Sequence, residues 1–210
     1  KKYILLLALL LSSTTFAVEP KFNDNFKQTK NEIETSSPGK IEVLELFWYG
    51  CIHCYSMDPY LDKWADSLPD DVVFKRVPAI PRKSWVPGAK AYFALETLGL
   101  EGKLHERLFD AIHKEKDVDP NNEAALISWV TLNGKLDEKE VKAAFNSFSI
   151  DTKLKKSYKI FKEAGATGVP TIIIDGNYMT SSTMAGGEKN AIDITNYIIE
   201  NIRNDRKKTS

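Results

Sequence analysis

The sequence predicts an α/β unit whose middle is interrupted by a helical insertion. Three observations carry that expectation. The run "IEVLELFWY" at 41–49 is apolar, rich in branched and aromatic residues and of strand length, and it leads at once into "GCIHCY". From about 84 to 164, successive segments place apolar residues at three- and four-residue spacing, broken by Gly, Pro or Asp-Pro. Strand texture then returns in "PTIIIDGNYMT" at 170–180, ahead of one more helical stretch at 188–202.

Taken in order, residues 1–17 read as a secretory signal peptide. Two lysines precede a nine-residue apolar run, Tyr3 to Leu11, and small or polar residues lead to expected cleavage after Ala17. A membrane-spanning helix needs about 20 apolar residues, so this run is too short to be one. Residues 18–38 form a polar N-terminal extension with Phe22, Phe26 and Ile33 as its apolar anchors, closed by the turn "SSPGK" at 36–40. The first part of the α/β unit covers 39–83. It holds the strand at 41–49, a helix from Cys54 with apolar residues at 57, 60, 61, 64, 65 and 68 and a kink expected at Pro59, and a second strand "VVFKRV" at 72–77. The helical insertion is placed at 84–150, and "DVDPNNE" at 117–123 within it reads as a helix-capping loop. The second part of the α/β unit, 151–210, carries a hairpin turn at Asp175-Gly176 and ends in a basic tail, "RNDRKK", expected to be solvated.

A chain of 210 residues with 42% hydrophobic content buries a core without staples. Twenty-nine basic residues balance 29 acidic ones, and loss of Lys1 and Lys2 on cleavage would leave a formal charge of −2 on 193 residues. Such totals carry no nucleic-acid footprint. Export would place the chain where disulfides persist.

Both cysteines lie three positions apart, at 51 and 54. Closing so short a loop removes little chain entropy, which argues against a structural staple. A zinc site needs about four ligands, and only Cys51, Cys54, His53, His105 and His113 are on offer, so no metal is expected. Redox chemistry fits better. Cys51 falls where a buried strand ends and a helix begins, and the unpaired N–H groups and partial positive charge of a helix N-terminus stabilise a thiolate. Cys51 becomes the attacking and leaving thiolate, with Cys54 one turn further on as the resolving partner. His53 is positioned either to put a donor or positive charge near the sulfur or simply to face solvent.

Two further residues bear on that chemistry. Pro170 in "TGVPT" starts a strand; were the Val169–Pro170 bond cis, the Val169 backbone would be free to pair with an extended substrate. Glu45 is a carboxylate amid a strand of apolar neighbours, which is costly unless paired or protonated. Buried near Cys54, it would trade protons with that thiol; on a half-exposed strand it would face water.

"GKIEVLELFWYGCIHCY", "FKRVPAI", "AFNSF" and "TGVPTIIIDGNY" together resemble the DsbA family of periplasmic thiol–disulfide oxidoreductases over about residues 38–202. The resemblance implies a thioredoxin fold with an inserted α-helical domain. It implies Cys51 as nucleophile, Cys54 as resolving cysteine, Val169-Pro170 as a cis-proline loop that, with Ile52, meets the substrate, and Glu45 as a buried glutamate with Lys75 or Arg76 as its charged partner. It also implies a redox-active Cys51–Cys54 disulfide in place of any cofactor, reduced and unfolded exported proteins as substrates, a membrane re-oxidase of the DsbB type, a periplasmic location and a monomer. Trp48, Tyr49 and Tyr55 are candidates to line the groove beside the cysteines. The family's usual dipeptide is Pro-His and this chain has Ile-His; Ile52 restores a backbone N–H near Cys51 and removes a rigid φ, effects of opposite sign on thiolate stability.

A reductase or isomerase on the same fold is the near alternative, although the roughly 23 residues between Ala17 and Ile41 leave no room for an isomerase's N-terminal domain. A non-catalytic peptide-binding chaperone is the other, and it would keep its activity without Cys51.

Overall fold

The computed structural model describes residues 19–209; the expected signal peptide lies outside the described residues. In chain order the elements are β1 (Lys27–Gln28), β2 (Ile41–Phe47), α1 (Ile52–Ala65), β3 (Val72–Pro78), α2 (Val86–Thr97), α3 (Glu101–Asp110), α4 (Glu123–Gly134), α5 (Glu138–Phe145), α6 (Phe148–Ala164), β4 (Thr171–Ile174), β5 (Tyr178–Thr180), α7 (Ser182–Ala185) and α8 (Glu188–Thr209). One sheet runs β1-β5-β4-β2-β3, with β2 parallel to β3 and antiparallel to β4.

Every residue of β2 is buried. Helices cover both faces of the sheet, so the strand reads as a continuous apolar run rather than an alternating one. On one face Met57, Leu61 and Trp64 of α1 and Ile194 and Ile198 of α8 pack on Ile41, Val43, Ile172 and Ile174. On the other, Ile160 and Ala164 of α6 pack with Leu44, Leu46 and Ile173. A third cluster joins the end of β2 to the insertion, where Phe47, Tyr49 and Cys54 meet Tyr92, Leu108, Phe109 and Leu126. Alternation along β2 puts Glu45 on the α1 face and Glu42 on the α6 face.

Several expectations are corrected. The N-terminal extension is anchored by Phe26 and Ile33, which are buried as expected, but Phe22 stays exposed, and the extension also adds an unforeseen edge strand, β1, that pairs antiparallel with β5. The last helix, expected to end at 202, continues to Thr209 with Arg203 paired to Asp71 (2.6 Å) and Arg206 to Asp175 (2.8 Å), while residues 204–208 are exposed, as expected of a solvated tail. Helix α6 runs unbroken across the boundary placed at 150/151. In α1, Pro59 lies inside the helix, and the buried face is Cys54, Met57, Asp58, Leu61 and Trp64, while Tyr60 is exposed. A buried Asp58 is invisible to a search for apolar spacing. The capping loop is as expected: Asn122 Oδ1 accepts from the Ala125 N–H at 3.2 Å and opens α4.

The hairpin between β4 and β5 turns through Asp175, Gly176 and Asn177; Asp175 and Gly176 both have positive φ (51° and 70°), and the Ile174 carbonyl accepts from the Asn177 N–H at 3.2 Å across them. Gly176 also carries the extension: its carbonyl accepts from the Ile33 N–H at 3.0 Å, and a Cβ there would stand 2.0 Å from the Ile33 carbonyl oxygen. Gly176→Ala is expected to destabilise the fold by about 2–4 kcal/mol in urea unfolding, because it combines a strained φ with a backbone clash. A change within about 0.5 kcal/mol would show that the 31–35 segment does not depend on this contact.

Candidate active site

Cys51 is the N-cap residue of α1, in extended conformation (φ −94°, ψ 114°). The chain arrives there through a tight turn over an aromatic stack. Trp48 lies flat on Trp85, ring centroids 4.1 Å apart, and a Cβ on Gly50 would come within 2.4 Å of the Trp48 ring. Glycine at 50 is what lets the backbone cross the indole so closely.

The two sulfurs, both free thiols, differ in environment. Cys51 is half-buried and Cys54 has no exposed surface. The Cys54 thiol lowers the Cys51 pKa from 9.0 to about 6, assisted by the backbone N–H groups of Cys54 and His53 and by the His53 side chain, against the opposing effect of burial. Burial, followed by the bond to Cys51, pushes Cys54 well above the ordinary thiol range. His53 and Ile52 are both exposed at the first turn of the helix.

Across from Cys51, the Val169–Pro170 peptide is cis. The Cys51 thiol donates to the Val169 carbonyl oxygen at 3.4 Å. Residues 118 positions apart therefore converge on one sulfur, because β2 and β4 are neighbours in the sheet.

Beneath the helix lies a buried chain of charges. Glu45 is 1% exposed, so it does not face water. The parallel register sets it beside Arg76, whose Nε lies 3.3 Å from Glu45 Oε2. Neither atom has a hydrogen-bond partner among the described residues, so the two groups lie side by side without a hydrogen bond. Burial raises Glu45 to about pKa 8 in spite of the Arg76 charge. Arg76 Nη2 turns instead to Asp58 at 2.9 Å and to Asp62. His105 Nε2 meets the same Asp58 oxygen at 3.2 Å, and His105 Nδ1 meets Tyr49 Oη at 2.8 Å. Burial raises Asp58, but the His105 bond and the charges of His105 and Arg76 outweigh it and hold the carboxyl below its ordinary value.

Of the two candidate partners for Glu45, then, Arg76 is beside it. Lys75 is the partner of Glu42 on the opposite face, at 2.7 Å, where Ser36 and Ser37 also bind the carboxylate. Tyr49 does not line a groove; it is buried against Phe47, His105 and Phe109. Trp48 is stacked at the edge of the insertion, and Tyr55 stacks on His113 and donates to Asp110 at 2.8 Å. Sequence reasoning missed Asp58 altogether and considered His105 only as a possible metal ligand. The one available signal is spacing: Asp58 stands four residues after Cys54 and so shares its helix face.

A helix-capping cysteine of low pKa, a buried second cysteine one turn on and a facing cis-proline loop on a mixed α/β sheet define a thioredoxin-fold thiol–disulfide oxidoreductase. Comparison with known proteins agrees. The family model for the DSBA-like thioredoxin domain matches residues 77–191. The thiol:disulfide interchange protein DsbA of Pseudomonas aeruginosa is 34% identical over 213 aligned positions, covering 98% of this chain and 99% of that protein. Its namesake from Azotobacter vinelandii is 35% identical over 185 positions, covering 87% and 85%. The crystal structure of Pseudomonas aeruginosa DsbA superimposes with a TM-score of 0.83 at 32% identity, over 90% of this chain and 97% of that one. The oxidoreductase DsbA from Xylella fastidiosa does so with 0.81 at 28%, over 88% and 98%. The chain belongs to the DsbA family, and it is a thiol:disulfide oxidoreductase.

Proposed function

We propose that this enzyme works in the periplasm as a disulfide donor to newly exported, reduced proteins, with Cys51 as its reacting atom and no cofactor beyond the Cys51–Cys54 disulfide. In the oxidised enzyme a substrate thiolate attacks Cys51 Sγ. The Cys51–Cys54 bond breaks, a mixed disulfide forms, and Cys54 leaves with the electron pair. Cys54 takes up a proton readily, being buried and high in pKa, and Glu45, with a pKa near 8 beneath it, is the nearby acid suited to supply one. A second substrate thiolate then attacks the substrate sulfur of the mixed disulfide and expels Cys51 as the low-pKa thiolate. The substrate gains a disulfide and the enzyme is left with two thiols. An external oxidant, a membrane re-oxidase of the DsbB type, must remove those two electrons. Val169, whose carbonyl lies 3.4 Å from Cys51 Sγ, offers backbone for pairing with an extended substrate, next to Pro170 and the exposed Ile52. The enzyme works as a monomer.

The observation that carries this reading is the contrast between the sulfurs, one stabilised as thiolate and the other not. A drop from 9.0 to about 6 in the Cys51 pKa favours the reduced form by up to about 90 mV, before solvent screening, at roughly 30 mV for each pKa unit. Thiolate absorbance of the reduced enzyme is expected to titrate with a midpoint near pH 6. Equilibration with glutathione is expected to give a potential well above the glutathione couple. A potential near thioredoxin's, about −270 mV, would show that the pair works as a reductant.

A further inference from the structure

The face that carries Cys51 and Val169 continues into a small cleft of about 250 Å³. Val169 and Pro170 form one wall; Lys27 of β1, Thr167, Ser181 and Thr183 line the rest, and no Asp or Glu is among the lining residues. Among the described residues the Lys27 ammonium has no ion-pair or hydrogen-bond partner. Half-buried lysines elsewhere do: Lys75 is held by Glu42 and Lys90 by Glu123. Ser181 Oγ accepts from the Met184 N–H at 3.2 Å, which leaves its own O–H free to donate. The cleft is thus supplied with donors and one unneutralised positive charge, and it has no carboxylate of its own.

Its position decides what it meets. A substrate chain paired with the Val169 backbone advances about 3.3 Å per residue, so side chains within a few residues of the reacting cysteine reach the cleft. An ammonium with neighbouring hydroxyls binds a carboxylate through charge-assisted hydrogen bonds and repels a second ammonium.

We propose that the Lys27 cleft is a specificity subsite for a carboxylate side chain, Asp or Glu, carried by the substrate polypeptide close to its reacting cysteine. This rests on the disulfide-donor reading and names a substrate class for it.

The test uses the oxidised mature enzyme and dithiol peptides identical except for Asp, Asn or Lys at one position flanking the reacting cysteine. Oxidation rates are read by acid quench and mass spectrometry, with neutral dithiothreitol as the reference thiol. At one or two flanking positions Asp is expected to be preferred over Lys by about three- to fivefold at low salt, with Asn between them and the preference shrinking at high salt. Lys27→Met is expected to erase the preference and Lys27→Glu to reverse it. The dithiothreitol rate and the thermal midpoint should hold in both variants, since β1 pairs with β5 through its backbone. Equal rates for the Asp and Lys peptides, or a preference that survives Lys27→Glu, would overturn the subsite and leave the donor reading standing. Failure to oxidise dithiothreitol and every peptide would overturn both.

Discussion

Cys51→Ser is expected to abolish disulfide donation, lowering the oxidation rate of a reduced substrate by about a thousandfold or more. The variant cannot hold the Cys51–Cys54 disulfide, so no electrophilic sulfur remains for a substrate thiolate to attack. Cys54→Ser behaves differently. Its Cys51 stays at a helix N-terminus beside the Val169 carbonyl, so it still attacks oxidised glutathione, forming a Cys51–glutathione disulfide and releasing one glutathione thiolate. That adduct has no second protein thiol to resolve it, and non-reducing gels or mass spectrometry should show it accumulating. Substantial substrate oxidation by Cys51→Ser would remove Cys51 from its proposed role, and full chaperone activity in its place would favour a peptide-binding protein.

Arg76→Met is expected to destabilise the fold by about 3–5 kcal/mol, a large share of a typical domain's stability. Arg76 is the shared cation of a site where Glu45 and Asp58 are both nearly inaccessible. Removing it leaves buried carboxylates facing one another with only His105 nearby. The pH dependence follows from the directions of the shifts. Asp58 is held below its ordinary value, so its contribution is present above the unfolded carboxyl pKa and is lost as pH falls through the folded one. Glu45 is raised from 4.5 to about 8, so the fold is favoured below 4.5 and loses that advantage as pH rises to 8. Without Arg76 both carboxyls should titrate higher, and the penalty should be smallest in acid and grow toward pH 8. Urea unfolding of wild type, Arg76→Met and Arg76→Lys across that range checks it. A penalty independent of pH would show that Arg76 acts through packing alone.

Much of the site was legible in the chain because its chemistry is local. Cys51, His53 and Cys54 are consecutive with a strand end and a helix start, and a helix N-terminus acts on a thiol within one turn of itself. Glu45 betrayed itself by standing in an apolar run. Asp58 and His105 did not, because a lone acid in a helix and a lone histidine in a helical block look like solvated surface. They become buried partners only when α1 and α3 close over Arg76.

By itself, then, the sequence determined the order of the main strands and helices from β2 onward, the interruption of the α/β unit and the unequal roles open to the two cysteines. Each of these depends on interactions within a few residues. The tertiary structure alone decided that Arg76, not Lys75, stands beside Glu45, that β1 joins the sheet edge and that Tyr49 is core. It also brought Val169 and Lys27 to the cysteine face. Those outcomes depend on sheet register and on packing between segments tens to more than a hundred residues apart, and local spacing carries no information about either.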